Sequence, residues 1–262
     1  MNKISKSWYD DTKNGMDKKS LWNKRSTRFT NMEIPGKDDA YISLILETSN
    51  ENIDKMNVLD IGCGSGIWSL AFADMVNSVI GVDIADKMID SANEKALSNG
   101  LNNAEYVVGD WKDLNLNLNK SRFDIVMAHM TPAINSDEDL IRMDSACDGY
   151  CYFTSSIKGE NDLRERIEEH FKVSFDRDRR ALSNALRVLF DMGRKPLIRY
   201  DERVHDKKET VEEVLGFYKE TAVSRGVSEK DLEEFLNSIA VDGLIESKMR
   251  MTKATLYWST AE

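Results

Sequence analysis

The stretch Val58-Leu59-Asp60-Ile61-Gly62-Cys63-Gly64-Ser65-Gly66 constrains this chain more than any other. A short apolar run ending in three alternating glycines reads as a buried strand that turns tightly into a helix. Glycine permits the turn and lets a ligand come close to the backbone. The helix that follows points its N-terminal amides toward such a ligand. Alone, the pattern is also that of an ordinary tight connection, so its weight depends on its setting.

The setting is a series of strand–helix units. Met56 to Ile61 reads as a strand, and Trp68, Leu70, Ala71, Phe72, Met75 and Val76 follow at near-helical spacing. Val79 to Val82 is a second strand, ending at Asp83, and Lys87 to Asn99 a helix closed by Gly100. Glu105 to Val108 ends at Gly109-Asp110, Phe123 to Ala128 ends at His129, and Tyr150 to Thr154 is a fifth strand. Alternation of this kind predicts an α/β fold, a doubly wound, mostly parallel Rossmann-like sheet with helices on both faces. Ligands of such sheets bind beyond the carboxyl ends of the strands, and the residues singled out here all fall at such ends. The 262 residues make one large domain or one domain with an insertion. We expect a helical lid over residues 1–40, carrying Trp8, Tyr9, Trp22 and Phe29, and a main domain over 41–262. Helices inserted at about 176–194 and 208–240 belong to a C-terminal stretch that reads as mostly helical after residue 156, with strand-like segments near 197–204 and 244–258.

Composition excludes several classes. No run approaches 18 apolar residues, and the start lacks an apolar core of the secretory type, so neither a membrane span nor a leader is expected. Cys63, Cys147 and Cys151 form an odd set that fits reduced thiols and a cytoplasmic protein. A net charge of −10 makes a poor generic binder of nucleic-acid backbones.

Asp83 is placed to accept both hydroxyls of a ribose. Asp110 is placed to read the amino edge of adenine, with the indole of Trp111 covering the ring. A pyrophosphate would disfavour a nearby carboxylate, yet Asp60 precedes the turn and no Lys or Arg occurs from Met56 to Asp74. Helix amides combined with an acidic strand end suit a zwitterion. The amino acid tail and sulfonium of S-adenosylmethionine fit that pattern better than NAD does.

These residues resemble motifs one to three of the class I S-adenosylmethionine-dependent methyltransferases: Val58 to Gly66, Gly81-Val82-Asp83-Ile84, and Gly109-Asp110-Trp111. The resemblance covers about residues 50–155. It implies that Asp60, Gly62 and Gly64 line the methionine moiety, that Asp83 holds the ribose, that Ile84 lies against adenine and that Asp110 and Trp111 meet the base; Cys63 and Met88 are further expected cofactor contacts. It places His129 near the transferred methyl and implies S-adenosylhomocysteine as the product.

Methyl transfer from a sulfonium is an in-line displacement whose leaving group is already activated. The protein therefore supplies alignment and desolvation, and a base only where the acceptor carries a proton. His129 is the candidate base, or a group that merely packs at the cofactor rim. Ala128-His129-Met130-Thr131-Pro132-Ala133 lacks the box of enzymes that methylate exocyclic base amines, and Met130 and Thr131 are candidate acceptor contacts. Asp137-Glu138-Asp139 reads as a helix start rather than a metal site, and no metal is expected. Trp22, Arg25 and Phe29 share a helical face: either Arg25 holds the cofactor carboxylate or stacks on an acceptor that Trp22 and Phe29 touch, or the face packs on the sheet domain with Arg25 at its edge. Arg177, Arg179, Arg180, Arg187 and Arg194 either recognise an acidic group, through Arg187 above all, or pair with Asp176, Asp178 and Asp191 on a solvated face. His170 and His205, in charged surroundings, are expected at the surface. The expected activity is methylation of a small molecule. A protein or RNA methyltransferase, an NAD-dependent dehydrogenase and a non-catalytic cofactor-binding module are the alternatives. Sequence leaves open whether the inserted helices enclose a ligand or form a homodimer face.

Overall fold

The computed structural model describes residues 7–8, 18–49, 52–113, 123–175 and 180–261. The chain divides into two compact units. The first comprises Met1–Ser155, Arg180–Asp201 and Ala254–Glu262; the second comprises Ser156–Arg179 and Glu202–Lys253.

In the first unit, β1 (Asn57–Ile61), β2 (Ser78–Asp83), β3 (Ala104–Val108), β4 (Phe123–His129) and the start of β5 (Cys147–Asn161) alternate with helices. The sheet order is β3-β2-β1-β4-β5, continued by β7 (Leu244–Ser259) and β6 (Leu197–Thr210). The first five strands pair in parallel, with Asp60 beside Gly81 and Met127. Chain order reverses at β1, so the ends of β1, β2 and β4 converge at the switch point where such sheets bind ligands. Strand β7 runs antiparallel to β5: Thr154 meets Thr255, and Gly149 meets Thr260.

The apolar faces explain the layers. Residues 58–61 are buried throughout, as a strand covered on both faces must be. One core gathers Leu59, Val126, Phe153, Leu182 and Trp258; the other gathers Ile42, Phe72, Val79, Ile89 and Met127. Asp39 caps α2 (Ala40–Thr48), its carboxylate accepting from Tyr41 N at 2.9 Å. Ser136 caps α5 (Asp137–Ser145), so the acidic triplet is a helix start as expected. Trp8, 5% exposed, fills part of the first core and donates from its indole to Asp137 at 2.9 Å.

Two elements depart from the sequence reading. The helix after the glycine turn, α3 (Ile67–Leu70), stops after four residues and gives way to a 3₁₀ turn over Ala73–Met75. The Asn103 side chain donates to the carbonyls of Ala73 and Val76 at 2.8 and 2.9 Å, which satisfies groups a longer helix would have used. The C-terminal stretch is less helical than expected, because β5, β6 and β7 are 15, 14 and 16 residues long.

The second unit holds the far portions of those strands with α6 (Asp162–Phe171), α8 (Val211–Val223) and α9 (Glu229–Ile239). β6 and β7 are antiparallel here too, Glu202 meeting Thr252 and Lys208 meeting Glu246. Leu163, Ile167, Val214, Tyr218, Leu232 and Leu236 make its core. Ser228 caps α9 as its sequence predicts. His170 and His205 are exposed, His170 stacked on Phe235 at 4.2 Å. Among the described residues no helix is long and apolar enough to cross a membrane.

Candidate cofactor and acceptor site

The glycine turn is built by conformations only glycine adopts cheaply. Gly62, Gly64 and Gly66 all have positive φ, at 64°, 53° and 71°. Gly62 also has no room for a side chain, since a Cβ there would lie 2.0 Å from Thr131 Oγ1. The loop after β4 therefore rests directly on the turn after β1. At Gly64 the nearest side-chain atom to such a Cβ is Met88 Sδ at 4.0 Å, which brings α4 (Asp86–Ser98) to the same cradle.

Asp83 ends β2. Its carboxylate accepts from Gly64 N at 3.0 Å and from Ala85 N at 2.9 Å, tying the glycine turn to the start of α4. Burial raises its pKa, against those hydrogen bonds. Asp60 is more deeply set, 2% exposed. Burial pushes its carboxyl up to about 7, the Ser69 hydroxyl favours the ionised form, and the Asp83 charge raises it further. Asp60 Oδ2 is buried with no hydrogen-bond partner among the described residues. A buried acceptor left in that state is costly unless a donor or cation reaches it. That orphan atom and the open backbone at Gly64 fit an ammonium-bearing cofactor.

His129, at the end of β4, is 9% exposed. Its ring lies 4.1 Å from that of Trp68 and 4.5 Å from that of Tyr41. Met130 follows with φ 53°, the left-handed region a non-glycine residue rarely adopts, and its N–H donates to Thr154 O. Thr131 turns back onto Gly62, its hydroxyl accepting from Ala133 N at 3.2 Å. Met130 is exposed. The residues placed at this end by sequence thus come together: Asp60, Gly62, Cys63, Gly64, Asp83, Met88, His129 and Thr131.

The lid face forms as a helix, α1 (Lys18–Thr30). Trp22 and Phe29 meet edge to face at 6.1 Å, with Arg25 over the Trp22 ring at 5.7 Å. The helix is latched to the turn: Ser65 Oγ donates to Phe29 O at 2.8 Å, and Lys95 Nζ to Thr30 O at 2.5 Å. These bonds satisfy carbonyls left open at the helix C-terminus. Lys87 N donates to the Asn23 side chain at 3.4 Å. Sequence reasoning found the face and missed the latch.

Trp111 meets a setting other than the expected one, and the two readings of the arginines are separated. Trp111 is 2% exposed and packs in the core, where its indole donates to Ala133 O at 3.0 Å and Arg142 lies over the ring. It props the loop after β4 instead of standing open beside Asp110, which is exposed; Ile84 is half-buried. Arg187 reaches both oxygens of Asp137 at 2.6 and 2.7 Å and Asp191 at 3.1 Å. The paired-charge reading describes it, because two carboxylates already occupy its guanidinium. Arg194 binds Asp144 through two bonds of 2.9 Å, and Trp258 donates to the same carboxylate at 2.8 Å. Arg177 and Arg179 lie outside the described residues. Tyr41, absent from the sequence reading, was signalled by the Asp39 helix start ahead of Tyr41, Ile42, Leu44 and Ile45.

A parallel switch-point sheet, a glycine cradle and acidic strand ends define a Rossmann-like α/β domain with a candidate ligand site at its strand ends. Residues 58–147 match the methyltransferase domain family, which identifies that segment as a methyltransferase domain. The ubiquinone biosynthesis O-methyltransferase of Leptothrix cholodnii is 38% identical over 61 residues, covering 23% of this chain and 26% of that protein. The 23S rRNA (uracil(1939)-C(5))-methyltransferase of Colwellia psychrerythraea is 43% identical over 54 residues, covering 21% of this chain and 12% of that one. The chain thus spans about a quarter or less of the length of these relatives. Magnesium protoporphyrin IX methyltransferase from Synechocystis PCC 6803, solved with bound S-adenosylhomocysteine, superposes with a TM-score of 0.51 at 13% identity, over 89% of this chain and 96% of that one.

Proposed function

We propose that the protein methylates a small-molecule acceptor with S-adenosylmethionine. The observation that carries this reading is the convergence of an orphaned buried carboxylate oxygen on Asp60 with the Gly62–Gly66 cradle and, across Thr131, with His129. S-adenosylmethionine supplies a methyl already activated on a sulfonium. Asp60 takes the ammonium of its amino acid tail, and Gly62 and Gly64 give it backbone contact, with Cys63 between them. Asp83 exchanges part of its hold on the turn for the ribose hydroxyls. Ile84 and Met88 flank adenine, whose amino edge meets Asp110. Arg25 holds the carboxylate, and Trp22 and Phe29 close over the acceptor. His129 orients the acceptor, or takes its proton where it has one, and Met130 and Thr131 border it. The main-domain cations Arg187 and Arg194 are held by carboxylates, which argues against a phosphate-rich acceptor. Cys63, Cys147 and Cys151 are buried and form no disulfide among the described residues, in keeping with a reducing compartment.

Calorimetry with S-adenosylhomocysteine and, separately, NAD tests the cofactor. Binding of the first alone is expected; the reverse, with nicotinamide-dependent turnover, would make the protein a dehydrogenase. Incubation with methyl-labelled S-adenosylmethionine and a fractionated extract tests the acceptor. Label in the low-molecular-weight fraction is expected. Label in RNA or protein would favour the second reading, which the match to an rRNA methyltransferase supports. Tight cofactor binding with no label anywhere would leave a binding module.

A further inference from the structure

Tyr41 lies outside the segment that matches the methyltransferase family, yet it reaches the reacting end of the sheet. It is the second residue of α2, held by the Asp39 cap at 2.9 Å, and it is 3% exposed. Its ring touches two others, His129 at 4.5 Å and Trp68 at 5.6 Å, while Trp68 touches His129 at 4.1 Å. Three rings in mutual contact restrict rotation of the imidazole about its Cβ–Cγ bond. Tyr41 and Trp68, which lie against the imidazole from adjacent directions, together restrict the plane of its ring. The two neighbours come from different parts of the site: Trp68 from the helix after the glycine turn, Tyr41 from the helix ahead of β1.

The phenol adds a second observation. Tyr41 Oη is buried with no hydrogen bond of good geometry among the described residues, and it lies near the Thr154 hydroxyl and the Asp60 carboxylate. Burial and Asp60 together hold it protonated, so it remains a donor. Thr154 is itself engaged with Thr255 at 2.8 Å. Tyr41 thus stands between the carboxylate that takes the cofactor and the imidazole that meets the acceptor.

We propose that Tyr41 is a positioning residue that, with Trp68, clamps His129 in one orientation toward the transferred methyl. The inference rests on the reading that His129 faces the acceptor. In-line displacement is sensitive to misalignment on the scale of an ångström, so a clamped imidazole contributes alignment without touching the sulfonium.

The test is NMR of the full chain with ring-labelled histidine. Only His129, His170 and His205 contribute, and His129→Gln assigns the first by loss of its signals. In the unaltered protein the His129 signals are expected upfield-displaced by the two rings and moved again by S-adenosylhomocysteine. Tyr41→Leu should lose part of the upfield displacement and the single sharp response to the ligand. Tyr41→Phe should keep both, which separates the clamp from general packing. Thermal melting confirms that each variant folds, and Trp68→Leu provides the same readout should Tyr41→Leu fail to fold. His129 signals in Tyr41→Leu that match the unaltered protein, with and without ligand, would overturn the clamp. If calorimetry shows no S-adenosylhomocysteine binding to the unaltered protein, the proposed function fails instead. The upfield displacement and its loss in Tyr41→Leu would still show that the clamp exists.

Discussion

The raised pKa of Asp60 makes cofactor affinity depend on pH in a definite direction. A carboxyl moved from 3.8 to about 7 has its ionised form disfavoured by roughly 4 kcal/mol. In the free protein this energy has a sign. A folded pKa above the unfolded one contributes stability that is fully present below the unfolded value and lost as pH rises through about 7. The free protein should therefore melt lower at pH 8 than at pH 6. A bound ammonium reverses the preference, because it favours the ionised carboxylate and pulls its pKa down. Binding then expels the proton that Asp60 carries, and below pH 7 the dissociation constant should rise about tenfold per pH unit, or roughly a hundredfold by pH 5.

Calorimetry with S-adenosylhomocysteine from pH 5 to 8.5 measures this, repeated in buffers of different ionisation enthalpy. Near pH 7 about half a proton should be released per ligand bound. Asp60→Asn should flatten the profile, weaken binding above pH 7 and raise the melting temperature of the free protein at pH 8. Asp83 also has a raised pKa, so Asp83→Asn is the control and should keep the slope. A flat profile in the unaltered protein, or an unchanged slope in Asp60→Asn, would refute the assignment of Asp60 to the ammonium.

Other substitutions separate binding from packing. Asp83→Ala removes the acceptor of two backbone N–H groups; S-adenosylhomocysteine affinity should fall at least tenfold by calorimetry, in line with about 1.5–3 kcal/mol for a charged hydrogen bond, and the melting temperature should fall with it. Gly62→Ala puts a Cβ against Thr131 at positive φ and should lower both stability and affinity, with Thr131→Ala restoring part of the loss in a thermal-shift assay. Trp111→Ala should cost about 3–5 kcal/mol in denaturant unfolding, and an unaltered midpoint would show that the indole is not a core residue. Arg187→Ala breaks half-exposed ion pairs and should leave methyl transfer to the acceptor unchanged; a loss in a labelled-methyl assay would return Arg187 to the acceptor site.

Particular residues show what was legible in the sequence. The strand ends at Asp60, Asp83 and His129 could be read because a short apolar run closing on a polar residue is a local pattern, and parallel topology then gathers such ends at one edge. Gly62 was legible as a turn, but its second reason, the approach of Thr131 from a loop 69 residues on, was not. The early end of α3 depends on the distant Asn103 side chain, which no window around Leu70 contains. The long β6 hid because its burial shows no apolar alternation; cross-strand pairs such as Lys208 with Glu246 hold its register instead. Trp111 carried a motif and a core position at once, and only the hydrogen bond to Ala133 tells which use the indole serves. Trp8 and Tyr41 make the complementary case. Both lie ahead of the segment that carries the family pattern, and both reach the loop or the histidine after β4 through contacts spanning 88 residues or more. Local pattern thus located the strand ends that make up the proposed cofactor end of the site. The proposed acceptor end is assembled from residues far apart in the chain, so changes ahead of β1, at Trp8 or Tyr41, should lower labelled-methyl transfer more than they weaken S-adenosylhomocysteine binding by calorimetry.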